Sequence, residues 1–509
     1  MAQTTEVVKL RRRVLVELAR LAYQKNLTNQ IQSLLTTIVT EDTPRYRCCV
    51  HKERAILEER IKIALHQSQT RTLLEAAKRA MAGKKDELYN VQVMPIACDE
   101  CPLDKYFITN GCRNCMAHNC INSCPEKAIT VVEKQAYIDK TKCIECGLCK
   151  RACQYNAIIE MNRPCETSCA VKAIATDENR KSVIDYDKCV ECGKCKNACP
   201  FGAISNPTSI VQVLSDIQAG KRVYAMLAPA FVGQFGNAAK IGQIFTTLKN
   251  IGFAEVREVS YGADITTIEE SREFFDTVPS ERPYMTTSCC PSFTALIEKH
   301  VPEMKLYVSS TASPMIALGR AIKADDKDAV TVFIGPCIAK KREAVAFGGA
   351  VDHVLTFEEA TCMIVGCGLN VLTAEDRKIA TTGSTTGNLF GHAGGVALSV
   401  KQLADSIGKG EDVRIANRDG LRACQEGLVA LMQGKLDCNL FEGMACEGGC
   451  VGGAGTLANP KVADRAMTMF AETSSCKTAN HNEAVNDRLL AGGHWHVERK
   501  SAVDKDAQG

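Results

Sequence analysis

The stretch Thr287-Ser288-Cys289-Cys290-Pro291-Ser292-Phe293 sets two adjacent cysteines just before a proline and a helix-like run, Thr294–Lys299. Proline suits the first helical position, where its missing N–H costs nothing. The pair is therefore expected at a strand-to-helix turn with helix N–H groups aimed at it, a setting that favours a thiolate or an anionic cofactor. Two further cysteine motifs follow: Gly335-Pro336-Cys337-Ile338-Ala339-Lys340-Lys341 and Glu442-Gly443-Met444-Ala445-Cys446-Glu447-Gly448-Gly449-Cys450-Val451-Gly452-Gly453. Four of these cysteines, from three separated segments, can converge on one iron–sulfur cubane. The glycines of the last motif let backbone come close to a bulky cofactor. Each motif alone reads as a turn with a buried cysteine; the three together are specific.

A second chemistry lies upstream. Sixteen cysteines fall between Cys98 and Cys199, the ligand count of four [4Fe–4S] clusters. Cys143-x2-Cys146-x2-Cys149-x3-Cys153 and Cys189-x2-Cys192-x2-Cys195-x3-Cys199-Pro200 follow the bacterial ferredoxin run, in which the fourth cysteine crosses to the other cluster. Cys124 then joins Cys143, Cys146 and Cys149. Cys153 returns to Cys112, Cys115 and Cys120. Cys169 joins Cys189, Cys192 and Cys195. For the fourth site, Cys199 should return to a triad ending in Cys165, but Ile159 and Asn162 occupy its first two places. The assignment is Cys98, Cys101, Cys165 and Cys199; the alternatives are a lost cluster with structural thiols, or zinc at Cys98 and Cys101. Ala128-Ile129, Ala157-Ile158, Ala173-Ile174 and Ala203-Ile204 mark a repeated short strand after each run. His118, among the ligands of the first site, reads as a surface or supporting residue.

Length and composition bound these readings. The chain has 509 residues, 45% hydrophobic and 24% charged, with a formal charge of +3, so two to four soluble globular domains are expected. The start lacks a secretory signal, and no run of roughly 18 apolar residues predicts a membrane span. Twenty-eight cysteines in a long chain without a signal point to reduced, metal-binding thiols in the cytoplasm of a cell living with little oxygen.

The elements that must position these groups divide the chain into four. Residues 1–90 show helical periodicity (Val7, Leu10, Val14, Leu18, Leu21) and read as a helical N-terminal domain, with the Arg11–Arg13 run as a solvated face and Cys48-Cys49 as buried structural thiols. Residues 91–207 read as two tandem ferredoxin-like domains of α+β type, each with two clusters. Residues 208–480 alternate strands (Val223–Leu227, Tyr284–Thr287, Leu306–Ser309, Val330–Ile334) with helices, which predicts an α/β fold with a mostly parallel sheet and sites where strands end. Residues 481–509 read as a polar tail. Glu270 and Glu273 share one helical face. Cys362, Cys367, Cys424, Cys438 and Cys476 carry no motif.

The three cysteine motifs and the Cys189–Cys199 run resemble the [FeFe]-hydrogenases, over roughly residues 91–460. The resemblance implies a catalytic domain of two lobes around a six-iron H-cluster, a [4Fe–4S] cubane bridged by one cysteine to a diiron centre carrying CO, cyanide and an azadithiolate. By motif position Cys290, Cys337, Cys446 and Cys450 resemble the cubane ligands, with Cys450 the bridge. Lys340 and Ala230 resemble donors to the two cyanides, and Met444 packs by the diiron unit. Cys289 resembles the cysteine that passes protons to the bridge amine, with Glu270, Glu273 and Ser309 continuing the path. The implied reaction is reversible H2 oxidation, with electrons relayed through three to four accessory clusters to a ferredoxin or similar one-electron carrier, and with separate enzymes loading the diiron unit. Ser292-Phe293, Gly335 and Glu447 depart from the usual Gly-Trp, Met and Pro and suggest a divergent subgroup, often called group B. Hydrogenase-like iron–sulfur assembly factors and H2-sensing hydrogenases are the competing readings. His392, in a glycine-rich loop resembling one near the family's site, reads as non-catalytic.

Overall fold

A computed structural model describes residues 4–42, 46–102, 104–236 and 238–497. Among the described residues fifteen strands follow one another in chain order. The first eight are β1 (Gln92–Val93), β2 (Tyr106–Ile108), β3 (Ile129–Val132), β4 (Gln135–Ile138), β5 (Ile158–Glu160), β6 (Ile174–Thr176), β7 (Ser182–Ile184) and β8 (Ile204–Ser205). Ile129, Ile158, Ile174 and Ile204 each open one of them, so the four Ala-Ile pairs do mark strand starts.

Pairing of these strands changes the expected layout. β2 pairs with β5 and β3 with β4, closing one ferredoxin-like unit inside residues 106–160; β1 pairs with β8 and β6 with β7, closing a second. The first unit is therefore nested in the second, between Cys101 and Cys165, rather than placed in tandem before it. The outer unit's cysteine run reads Cys98-x2-Cys101, then a complete inserted unit, then Cys165-x3-Cys169. Cys101 and Cys165 are the point of interruption, which is why Ile159 and Asn162 stand where a continuous run needs cysteines.

The remaining strands are β9 (Val223–Leu227), β10 (Glu255–Glu258), β11 (Met285–Thr286), β12 (Val330–Gly335), β13 (His353–Thr356), β14 (Ile415–Asp419) and β15 (Leu440–Met444). They form two parallel sheets, ordered β10-β9-β12-β13 and β11-β15-β14. β9 and β15 are buried at every position, as parallel strands covered on both faces must be. Leu306–Ser309, expected as a strand, is instead the end of a 3-10 turn (Pro302–Tyr307), with a single bridge from Val308 to Thr286. Pro302 at the turn's start lacks the N–H that a strand would use.

The N-terminal helix Glu6–Tyr23 buries Val14, Leu15, Leu18, Ala19, Leu21 and Ala22 in the same core as β9 and β12. A Cβ on Gly366 would lie 2.5 Å from the Ala19 Cβ and 2.6 Å from the Val16 carbonyl oxygen, so this helix presses directly on helix Phe357–Gly366. The change near residue 90 is one of element type, not of core. Arg11–Arg13 is not a solvated face. Arg11 Nη2 and Arg12 Nε donate to Glu358 Oε1 at 2.8 and 3.0 Å, and Arg13 donates to the Thr37 and Ile38 carbonyls that end a short helix. Cys48 is exposed and Cys49 half-buried, so neither is a core thiol. Past residue 480, a helix (Glu483–Leu490) and a segment with buried Trp495 and Val497 pack on the α/β region. The polar composition there conceals a few large apolar anchors; residues 498–509 lie outside the described residues. Among the described residues no helix is long and apolar enough to cross a membrane.

Candidate active site

Four strands end at one place. β9 runs into Ala228-Pro229-Ala230, β12 into Pro336-Cys337, β11 into Thr287–Cys290, and β15 into Ala445-Cys446. The first two belong to one sheet and the last two to the other, so the carboxyl ends of two parallel sheets face a common cavity, the usual location for a site in such layers. The cavity is walled by Ala230, Cys289, Cys290, Cys337, Met444, Cys446 and Cys450, among others.

Local sequence explains each position. Cys290 is the N-cap of helix Pro291–His300, with Pro291 at the first helical position, as the motif predicts. Backbone N–H groups of Ala445, Phe293 and Ser292 favour its thiolate, although burial dominates and pushes the thiol up. The glycines of the last motif act against neighbouring backbone rather than leaving open space. A Cβ on Gly453 would lie 2.6 Å from the Pro336 carbonyl oxygen, and one on Gly449 2.5 Å from Ala393 N and 2.6 Å from Gly391 O. Gly449 also has φ +84°, open to glycine at little cost. These glycines let three cysteine-bearing or glycine-rich loops touch.

The four cysteines of the cavity sense one another electrostatically. Burial first, then Cys337, Cys290 and Cys450, raise Cys446 well above the ordinary thiol value. Cys337 and Cys450 are pushed up to about 12, again mainly by burial. Each retains a little accessible surface. Four thiolates in so apolar a space require compensating cationic charge, and a metal cluster supplies it.

Lys340 opens helix Lys340–Ala346. Its Nζ donates to the Cys289 carbonyl and Ser313 Oγ, both at 3.0 Å, and to Glu343 Oε2 at 2.6 Å. Burial works against its charge, but Glu343, Cys289 and Cys337 outweigh it and hold the ammonium above its ordinary range. Cys289 is buried beside Ala263, Phe390, Val396 and Met444. Burial, then Glu270 and Glu442, raise it well above the ordinary value, so it is a neutral thiol with a proton to give.

Glu270 and Glu273 lie on helix Val259–Thr277, whose first turns line the cavity through Val259 and Ala263. Glu270 is fully buried. Glu273 Oε2 accepts from Ser309 Oγ at 2.8 Å and Thr311 Oγ1 at 3.0 Å, and its Oε1 from Arg282 Nη2 at 2.8 Å. The Ser310 N–H donates to both oxygens. Burial opposes the Glu273 charge, yet these donors hold its pKa below the ordinary carboxylate value. The same helix thus leads from the cavity wall toward the surface.

The accessory cysteines gather in four groups. Cys149 senses Cys143, Cys146 and Cys124; Cys120 senses Cys153 and Cys115; Cys189 senses Cys192 and Cys169, and Cys192 senses Cys169; Cys101 senses Cys98, Cys165 and Cys199. Cys112 packs in the core holding Cys120 and Cys153. Backbone N–H groups point at several sulfurs: Ala128 at Cys124 (3.3 Å), Ala173 at Cys169 (3.2 Å), Ala203 at Cys199 (3.3 Å) and Ser182 at Cys98 (3.4 Å). Donors of this kind stabilise charged cluster sulfur and tune its potential. Cys195 senses Cys165 as well as its own group, and Cys192 forms part of the cavity wall. Gly193 (φ +77°) makes that approach possible, since a Cβ there would fall 2.6 Å from Ile338 Cδ1 and 3.0 Å from Ala454 Cβ.

Several contributors escape sequence reading. Glu442 is fully buried, accepts from Gly394 N and Ala397 N at 2.8 Å each, and ties β15 to the start of helix Gly395–Ser406. An acid inside the apolar run Leu440–Met444 was the available signal. Ser313, Glu343 and Arg282 are visible only through tertiary contact. His392 pairs with Asp464 at 2.6 Å, in line with a non-catalytic part. His118 is half-buried and hydrogen-bonds Asn114. Cys362, Cys367, Cys424 and Cys438 are buried and Cys476 half-buried.

Fold and site together define an iron–sulfur protein with two parallel sheets around a cysteine-walled cavity and ferredoxin-like units beside it. The family model described as iron only hydrogenase large subunit, C-terminal domain, matches residues 221–454, and the 4Fe-4S binding domain model matches 136–159 and 182–205. Iron hydrogenase 1 of Clostridium pasteurianum is 31% identical over 385 residues, covering 64% of this chain and 66% of that one. The periplasmic [Fe] hydrogenase large subunit of Nitratidesulfovibrio vulgaris is 31% identical over 382 residues, covering 64% and 87%. A cytosolic Fe-S cluster assembly factor, narfl, of Danio rerio is 24% identical over 276 residues, covering 44% and 67%. The chain belongs to the iron-only hydrogenase family.

Proposed function

We propose that this chain is an [FeFe]-hydrogenase that interconverts H2 with two protons and two electrons, exchanging the electrons with a ferredoxin or similar one-electron carrier. One observation carries the reading: the cavity that gathers Cys290, Cys337, Cys446 and Cys450 also gathers Cys289, Lys340, Ala230 and Met444, and abuts Cys192 of an accessory group. A cubane alone needs four thiolates; the extra groups serve a larger centre. When bound, a six-iron H-cluster supplies the iron at which H2 is split and the first electron acceptor. Cys290, Cys337, Cys446 and Cys450 would hold it, Lys340 and the backbone near Ala230 would face its diatomic ligands, and Met444 would pack beside it.

The chain's own residues manage protons and electrons. Cys289, kept neutral by burial, passes a proton between the cavity and Glu270. Ser309 and Glu273, hydrogen-bonded to each other at 2.8 Å, extend that route outward. Electrons leave by the Cys169/189/192/195 group, then Cys98/101/165/199, then the inserted unit. Separate maturation enzymes load the diiron part, and an oxygen-poor cytoplasm suits clusters so near the surface. The assembly-factor reading requires a cubane alone, and Cys289, Lys340 and Met444 lining the same cavity count against it.

Infrared spectroscopy of anaerobically matured protein tests the proposal. CO and cyanide bands are expected, and their absence despite active maturation enzymes would sink it. Cys289→Ala should leave those bands and lower turnover by roughly two to four orders of magnitude; full activity in that variant would refute the proton role.

A further inference from the structure

The outer end of the carboxylate route is covered by a segment near the C-terminus. Residues 494–497 run beside the loop 310–312. Ala312 N and Val497 N donate to Trp495 O and Ser310 O, both at 2.7 Å, and Thr311 and His496 form an antiparallel bridge. Trp495 is buried against Ile265, Ile268 and Ala317, and Arg320 Nη1 donates to the carbonyls of His494 and His496. Held by these contacts, His496 lies over helix Val259–Thr277. Its Nδ1 is 2.9 Å from Ser310 Oγ and 4.0 Å from Glu273 Oε2, and its Nε2 is 3.4 Å from Glu269 Oε2.

Exposure rises steadily along this line. Glu270 is sealed from solvent, the Glu273 side chain is 10% exposed, and that of His496 is 48% exposed. Glu273 itself meets little bulk water, because little of its side chain is exposed. An imidazole is the side chain whose ordinary titration lies in the neutral range, and it accepts on one nitrogen while donating from the other. The charged groups facing it are Glu269 and Glu273 from the helix, with Arg272 paired to Glu269 and Arg282 to Glu273, and Arg320 on its backbone side.

We propose that His496 is the outer relay of the proton route, exchanging protons between bulk solvent and Glu273. In the H2-producing direction a solvent proton binds a ring nitrogen. A small ring displacement, or the Ser310 hydroxyl as a bridge, then delivers a proton to the Glu273 carboxylate and leaves the imidazole neutral. In H2 oxidation the same N–H bond forms from the Glu273 side and breaks to water. No electron moves in either step. The inference rests on the Glu270–Ser309–Glu273 route proposed above.

The matured enzyme carrying H496Q, H496A or E273Q tests it, assayed for H2 oxidation and evolution at low and high buffer concentration. With H496Q and H496A, turnover in dilute buffer should fall roughly tenfold, a modest share of what general acid–base groups contribute. Added imidazole should restore most of it, with melting temperature and infrared bands unchanged. Unaltered turnover in dilute buffer would overturn the inference. So would a loss that imidazole fails to restore and that comes with a lowered melting temperature, because His496 would then be only a structural strap. E273Q separates the two levels of argument. If E273Q is severely impaired while the His496 variants are not, only the relay is wrong; if E273Q is fully active, the route itself falls and the relay with it.

Discussion

Glu358 → Gln is the sharpest test of how the N-terminal helix is joined to the redox core. Glu358 lies in the first turn of helix Phe357–Gly366 and is 3% exposed. Its Oε1 accepts from Arg11 and Arg12, and its Oε2 lies 3.5 Å from Lys196 Nζ, beside the proposed ligand Cys195. Burial alone would raise its pKa, but Lys196 and Arg11 lead the interactions that hold it down at about 2. Against an ordinary value of 4.5, at about 1.36 kcal/mol per unit, the ionised carboxylate contributes roughly 3 kcal/mol. That agrees with the roughly 3–5 kcal/mol cost of breaking a buried ion pair. Lys196 points the other way, since burial lowers it to about 8. The two are consistent because two arginines share the single carboxylate, so Lys196 is the least compensated member. E358Q should therefore lower the melting temperature by roughly 3 °C, and E358Q/K196M should recover a good part of that loss. The folded-state pKa lies below the unfolded one, so this stabilisation is present above about pH 4.5 and is lost as pH falls toward 2. The assay is thermal unfolding of the anaerobic protein followed by circular dichroism at pH 7, with intact clusters checked by absorbance. An unchanged melting temperature in E358Q would refute the reasoning. So would a double variant less stable than E358Q, because Lys196 would then draw its stability from elsewhere.

Cys165→Ser should remove one of four accessory clusters, seen as a loss of about four irons per chain and of one electron-paramagnetic-resonance component; iron content equal to the parent would show that Cys98, Cys101, Cys165 and Cys199 hold none. Asp264, sealed under Ser384 and Asn482, is raised to about 6 by burial. Its folded pKa exceeds its unfolded value of 3.8, so its contribution is full below about pH 4 and falls by roughly 3 kcal/mol as pH rises through 6. D264N should flatten that part of the stability-versus-pH curve, and a profile identical to the parent would exclude Asp264 as its source.

What could be read from the chain follows the range of the physics involved. Ligand spacing is a local constraint, so the Cys143–Cys153 and Cys189–Cys199 runs, the cavity cysteines and the N-cap place of Cys290 were all legible. The nested order of the two ferredoxin-like units was not. A run rule assumes that neighbouring ligands are neighbours in sequence, and the insertion between Cys101 and Cys165 leaves only strand pairing to reveal the parent unit. The N-terminal helix was legible as a helix but not as part of the main core, because periodicity shows which face is apolar and not what covers it. Composition misjudged the last described stretch for a similar reason. Trp495 and Val497 anchor it, and two apolar side chains barely move an average.

The departures from the familiar motifs become intelligible as pairs. Phe293 lies against Gly443, where a Cβ would fall 2.1 Å from the ring, so only a glycine leaves room for the ring there. Gly335 stands to Phe333 in the same way, with a Cβ–ring distance of 2.4 Å, and Phe333 supplies the cavity wall there. Ser292 Oγ donates to the Val190 carbonyl at 3.0 Å, inside the loop between Cys189 and Cys192. Glu447 pairs with Lys194 at 2.9 Å, just before Cys195. Thus Phe293 and Gly335 settle packing beside the cavity, and Ser292 and Glu447 reach across to the nearest accessory group. The Lys194 pair is exposed and contributes little stability, but the Ser292 bond is buried and fixes the Cys189–Cys192 loop against the turn that carries Cys289 and Cys290. Divergence here leaves the cysteines of the cavity in place and reshapes the joint between that cavity and the Cys189–Cys199 segment.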